Sequence, residues 1–251
     1  MKEIMKDGLN IGVYETRPEM GRAAAQKTAA LIAGLLQTQD EVNMIFAAAP
    51  SQNEMLAAFA ASDVDFGRIN AFHMDEYLGL APGAPQRFSR YLDEHIFGLH
   101  SFKSIHYLGL SGDAGQEAAR YTALLKEYPI DITLAGIGEN GHIAFNDPHE
   151  ADFNDPHLVR RVSLDLACRQ QQVNDGCFAR LEDVPEYALT LTIPALMAAK
   201  YIVATVPGPT KRAALTRAVT GEISPECPAS VMRRHPGCYL FCDEESAKDL
   251  L

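Results

Sequence analysis

Four short apolar runs punctuate the chain, each ending in a polar loop: Val42 to Ala49, Ile69 to His73, Ile130 to Ala135 and Tyr201 to Val206. Runs of this length that are apolar on both sides read as strands buried on both faces. Between them the period changes to that of a helix. Arg17 to Gln37 places Ala24, Ala25, Thr28, Leu31, Ile32 and Leu35 along one side. A second helix opens at Ser51 after Pro50, with Met55, Leu56 and Phe59 on one face. There Ser51 is an N-cap candidate and Glu54 holds the capping-box position. Further helices fit Gln86 to Phe97, Ala114 to Glu127, Ile193 to Ala199 and Thr210 to Val219. A short strand fits Asn10 to Tyr14 and a late one surrounds Cys238 to Cys242. This alternation predicts an α/β fold with a doubly wound, mostly parallel sheet and helices on both faces, Rossmann-like in its order. The segment from about 149 to 182 is polar, rich in Asp, Asn and His, and is expected to form a lid.

Composition narrows the partners. With 251 residues and 47% hydrophobic content the chain can bury a full core, and no linker divides it, so residues 1–251 are read as a single domain. A net charge of −11 without a basic stripe argues against nucleic acid and anionic membranes. The polar start Met1-Lys-Glu-Ile-Met-Lys-Asp and the lack of a membrane-length apolar run point to a soluble, cytoplasmic protein. Five cysteines without a Cys-x-x-Cys pair read as reduced thiols. A homo-oligomer is compatible with all of this.

Chemistry concentrates at the strand ends, where open parallel sheets bind ligands. Gly136-Ile-Gly-Glu-Asn-Gly-His-Ile-Ala-Phe-Asn-Asp-Pro148 delivers an imidazole and a carboxylate within one glycine-rich turn. His142 is a candidate acid/base group, and Asp147, five residues on, can turn back to orient it. Asp75 and Glu76 follow a buried strand, where desolvation can turn a carboxylate into a base, competing with a solvated acidic turn. Ser51 at a helix start and Lys211 at another form a candidate anion site, competing with simple capping at Ser51. The irregular run His149, Asp152, Asp155, His157 reads as a solvated segment rather than a metal site. His73, His95, His100, His106 and His235 show no evident partners.

Phe72-His-Met-Asp-Glu-Tyr-Leu-Gly-Leu80, the Gly136 to Pro148 block, Pro207-Gly-Pro-Thr-Lys211 and His235-Pro-Gly-Cys-Tyr-Leu-Phe-Cys-Asp-Glu244 occur in the order found in one enzyme family. Through them the chain resembles the glucosamine-6-phosphate deaminase (isomerase) family, within the superfamily that also holds 6-phosphogluconolactonases. The resemblance implies conversion of an amino-sugar phosphate to a keto-sugar phosphate plus ammonia, with no cofactor and no metal. It assigns catalysis to Asp75, His142, Asp147 and Asn140, and substrate or phosphate binding to Ser51, Gln52, Gly138, Gln172 and Lys211. Asn140 stands where the family has an aspartate, and Gln172 where it carries a phosphate-binding arginine, with Arg169 one helical turn away as a substitute. Ala47 to Glu54 replaces the family's glycine/threonine-rich phosphate loop. The alternatives are a lactone hydrolase of the 6-phosphogluconolactonase type and a non-catalytic sugar-phosphate sensor.

Overall fold

A computed structural model describes residues 1–110 and 112–251. The strands are β1 (Lys2–Lys6), β2 (Leu9–Tyr14), β3 (Val42–Phe46), β4 (Ile69–His73), β5 (Asp75–Tyr77), β6 (Ser104–His106), β7 (Ile132–Ala135), β8 (Val159–Ser163), β9 (Tyr187–Leu191), β10 (Tyr201–Val206) and β11 (Cys238–Asp243). The α-helices are α1 (Arg17–Leu35), α2 (Asn53–Ala60), α3 (Phe88–Leu92), α4 (Ala114–Glu127), α5 (Leu166–Asn174), α6 (Ile193–Met197) and α7 (Arg212–Thr220). Eight strands form one sheet in the order β1-β2-β11-β10-β7-β3-β4-β6, parallel throughout except for the β1–β2 hairpin. A second, antiparallel sheet has the order β5-β9-β8.

The expected doubly wound architecture is present, and the strand sequences explain it. Successive residues of a strand point to opposite faces, so a strand apolar at every position needs cover on both. In β3, Met44 and Phe46 join one core with residues of α1 and α2, while Ile45 joins a second core with residues of α4 and α7. Two strands away, β10 divides likewise, Val203 to the first core and Ile202 and Ala204 to the second. Burying one such side chain contributes about 1.5–3 kcal/mol. No helix among the described residues is long and apolar enough to cross a membrane.

The chain leaves β3 outward through β4 and β6, then returns to the opposite flank of β3 as β7 and continues outward to β10. The strand order therefore reverses between β3 and β7, which is where open α/β sheets form a ligand crevice. The four polar loops singled out in the sequence follow β3, β4, β7 and β10, four adjacent strands at that point.

Several local expectations change. Ser51 does not cap α2: Pro50–Gln52 form a 3₁₀ turn, Gln52 takes the cap position without a side-chain cap bond, and Glu54 pairs with Arg17 at 2.9 Å. The helix expected from Gln86 starts at Phe88 because buried Glu76 reaches over to accept the N–H groups of Phe88 and Ser89 at 3.1 Å each. Inside the 149–182 segment, expected to be a polar lid, the chain forms the regular elements β8 and α5. Its polar positions are internally matched; Asp155 serves Arg160 at 2.9 Å and His157 at 3.2 Å. The five partnerless histidines do have partners. His73 accepts from the Leu108 N–H at 2.7 Å, His95 contacts the Tyr91 carbonyl, His106 the Ser104 hydroxyl and His235 the Ala199 carbonyl, and His100 stacks on Phe66.

Candidate active site

One cavity of about 320 Å³ opens at the strand ends. Of the residues expected to act, Ser51, Asp75, Gly138, His142, Gln172 and Lys211 all line it. Gln52, Asn140 and Asp147 lie behind its wall.

Asp75 begins β5, opposite Thr190 of β9, so its backbone is held in a ladder rather than on a free loop. Its carboxylate is 6% exposed and makes no hydrogen bond or ion pair among the described residues. Burial, and then the neighbouring Glu76 charge, push its pKa well above the usual carboxylate range. Glu76 points the other way and is satisfied by the backbone of Tyr77, Phe88 and Ser89, the Ser89 hydroxyl and, at 3.4 Å, the Arg87 guanidinium. Of two adjacent acids, one is structural and one is left bare in the cavity.

The turn after β7 carries the imidazole. The Gly138 N–H donates to the His142 carbonyl and the Gly141 N–H to the Gly138 carbonyl, each at 2.9 Å, closing the loop on itself. The ring then lies against Gly138, where any Cβ would come within 2.2–2.4 Å of its atoms. Gly141 has φ of +94°, and a Cβ there would meet the Cys227 sulfur at 2.8 Å. Gly138 is therefore required by the position of the His142 ring, and Gly141 by its own backbone angle and the Cys227 sulfur. Asp147 turns back as its spacing implied, with Oδ1 2.9 Å from His142 Nδ1, although the ring is not aligned for a hydrogen bond. Asn140 bridges the two, its Nδ2 donating to Asp147 Oδ1 at 2.9 Å and its Oδ1 accepting from the His142 N–H at 3.0 Å. Burial alone would raise the Asp147 pKa, but the polar groups of His142, Asn140 and Cys168 outweigh it and hold the acid below its usual range.

At the other end, Thr205 Oγ1 donates to the Ser51 carbonyl at 3.3 Å, and Gln52 Nε2 donates to the Ala135 carbonyl and the Ser51 hydroxyl at 3.2 Å each. Gln52 is thus a brace for the Ser51 turn. Asp243, the last residue of β11, accepts the Gly208 N–H at 3.0 Å and fixes the loop that delivers Lys211. The Lys211 ammonium is buried and makes no hydrogen bond or ion pair among the described residues, and desolvation lowers its pKa despite Asp175 and Glu139 nearby. A buried cation without a partner favours an anionic ligand.

Two arginines depart from expectation. Arg169 does not stand in for the missing phosphate-binding arginine, because its guanidinium donates to the carbonyls of Leu181 and Val184 at 2.9 Å each, away from the cavity. Arg87, which sequence reading passed over, lines the cavity while donating to the Gly109 carbonyl at 3.0 Å. Nothing in its local sequence marks it; distant Glu76 and the Gly109 carbonyl place it there. Gln172 receives the Tyr77 hydroxyl at 2.6 Å, which links α5 to the strand carrying Asp75.

Adjacent strand ends that bring together a bare acid, an imidazole–carboxylate couple and a buried lysine define an α/β protein of the sugar-phosphate isomerase and lactonase type. The chain belongs to the glucosamine-6-phosphate isomerases/6-phosphogluconolactonase family, whose profile matches residues 15–240. It is 38% identical over 212 residues to the glucosamine-6-phosphate deaminase of Listeria monocytogenes serotype 4a (strain HCC23), covering 84% of this chain and 88% of that one. The Streptococcus sanguinis (strain SK36) glucosamine-6-phosphate deaminase is 35% identical over 197 residues, 78% of this chain and 82% of that protein. Among solved structures, a monomeric glucosamine-6-phosphate deaminase superposes with a TM-score of 0.87 at 26% identity, over 95% of this chain and 98% of the other. The 6-phosphogluconolactonase of Trypanosoma brucei shares the fold, with a TM-score of 0.78 at 16% identity over the whole of both chains.

Proposed function

We propose that this protein is an amino-sugar-phosphate deaminase that converts glucosamine 6-phosphate and water to fructose 6-phosphate and ammonia. The observation that carries the reading is Asp75: a desolvated, unpartnered carboxylate in the same cavity as an unpartnered lysine. In this reading Lys211 and the Ser51 turn hold the phosphate, and that remote binding energy fixes the sugar for both chemical steps. His142, oriented by Asp147 and Asn140, moves the proton that opens the ring. Asp75 then takes the proton from C2 of the open chain and returns it to C1. The C2 imine that results is hydrolysed by water, leaving the ketone and releasing ammonia. A base shielded from water and with a raised pKa is suited to a weakly acidic C–H. Gln172 presents an amide where an arginine would bring charge, so the phosphate end relies on Lys211 for its cation. The reduced cysteines fit a cytoplasmic enzyme.

The test is ammonia release from glucosamine 6-phosphate, followed with a coupled assay for the wild type and for Asp75→Asn. Turnover in the wild type and its collapse in the variant support the reading. Hydrolysis of a phosphogluconolactone with no ammonia from any hexosamine 6-phosphate would replace it with the lactonase alternative.

A further inference from the structure

Behind the imidazole, Cys168 joins the His142–Asp147 couple, and the deamination chemistry gives that thiol no role. His142 Nδ1, an Asp147 carboxylate oxygen and Cys168 Sγ lie within 4.8 Å of one another. They are 8%, 0% and 1% exposed. Two polar atoms of the cluster make no aligned hydrogen bond among the described residues: His142 Nδ1, although it lies 2.9 Å from Asp147 Oδ1, and Asp147 Oδ2. Orphaned buried acceptors are costly and call for a reason. Asn140 bonds Oδ1 of Asp147, and the Cys168 thiol is the other polar group beside that carboxylate.

We propose that His142, Asp147 and Cys168 form an inhibitory binding site for a thiophilic divalent cation of the zinc type. Imidazole, carboxylate and thiolate are the donor types such ions select, and three protein ligands with one open position suit tetrahedral coordination. Bond lengths of about 2.0–2.3 Å put tetrahedral ligand atoms about 3.3–3.7 Å apart, so the cluster has only to draw in slightly. Charge also balances, because a dication meets one carboxylate and one thiolate and leaves no net charge in the buried site. On binding, Cys168 releases its thiol proton to solvent, His142 gives the Nδ1 lone pair and Asp147 gives Oδ2. The α5 helix sets the sulfur in place, since Asp165 caps that helix by accepting the Cys168 N–H at 2.7 Å. The cation enters from the cavity, which His142 borders.

The functional consequence rests on the role given to His142 above. With Nδ1 on the metal, the ring keeps its proton on Nε2 and can no longer accept one, so ring opening stops. Metal binding itself does not depend on that role, and the two are measured separately. Zinc affinity is measured on the purified protein by competition with a chromophoric chelator, and cobalt is used as a spectroscopic stand-in. The expected results are one tight site per chain, a thiolate-to-cobalt charge-transfer band in the near ultraviolet, and affinity lowered at least about 100-fold in Cys168→Ser. Zinc inhibits the wild type, and the residual turnover of Cys168→Ser is insensitive to it. Equal affinity in wild type and variant overturns the site, as does a cobalt spectrum without the thiolate band. The wild-type spectrum decides the matter even if the variant fails to fold. Binding with all these signatures but no inhibition would leave the site standing and remove His142 from ring opening.

Discussion

Asp75 and Asp147 are both nearly sealed from water, yet their acidities move in opposite directions. Asp75 at the start of β5 has no donor and sits beside the negative Glu76, so burial governs and its pKa rises. Asp147, after the β7 turn, is surrounded by Asn140, His142 and the Cys168 thiol, and it remains an acid that holds its charge. Burial alone therefore does not assign a role to a carboxylate. The count of donors separates them: in the proposed chemistry the bare acid is the one that takes a proton, and the wrapped one positions its neighbour.

The sharpest way to break this contrast is Asp75→Asn, which should lower kcat for ammonia release by about 10²- to 10⁴-fold with little change in KM. The same substitution carries a signature in pH. An acid whose folded pKa is raised binds more protons folded than unfolded between its unfolded value of about 3.9 and its folded one. Stability thus falls as pH rises through that window, and the asparagine variant should lose that slope and melt higher above it. Thermal melts across pH, beside the acid limb of kcat/KM, check both. Next in size, Asp147→Asn should cost about 10²-fold in kcat. Its stability dependence is opposite in sign: the depressed pKa supports folding above the usual carboxylate range, and that support is lost as pH falls through the depressed value.

Lys211→Met should raise KM by about 10- to 100-fold, the loss expected for a charge-assisted contact to phosphate, while kcat changes less. Because the free protein carries the cation at a desolvation cost, the methionine variant should melt higher without ligand and gain no further stability from added phosphosugar. Differential scanning fluorimetry with and without glucosamine 6-phosphate reads this. The smallest effect belongs to Asn140→Asp, which keeps the acceptor for the His142 N–H but places a second negative charge beside Asp147. A few-fold change in kcat and a raised Asp147 pKa are expected, visible as a shifted pH profile.

The central sheet was legible because β3, β4, β7 and β10 are buried on both faces and are written as nearly continuous apolar runs. The coupling of His142 to Asp147 was legible because both lie in one glycine-rich turn. Features built by distant residues were not. The β5-β9-β8 sheet joins segments more than a hundred positions apart, and β8 carries two arginines that hide its strand character. Ser51 looks like a cap from its local motif, but the preceding Pro50 winds the chain into a 3₁₀ turn, and Glu54 is drawn to Arg17. Arg169 has the right spacing to replace the missing arginine, yet nothing local shows that its guanidinium is taken by two carbonyls of the following loop.

The small antiparallel sheet divides labour within the enzyme in a way that matters for redesign. Asp75 and Tyr77 share one three-residue strand, and Tyr77 reaches across to Gln172 on α5. Asp75 and the α5 side of the cavity are therefore mounted on a different stretch of backbone from the glycine turn and the lysine loop. Substitutions along α5 therefore reach the Asp75 wall through the Tyr77–Gln172 bond without touching any strand of the eight-strand sheet.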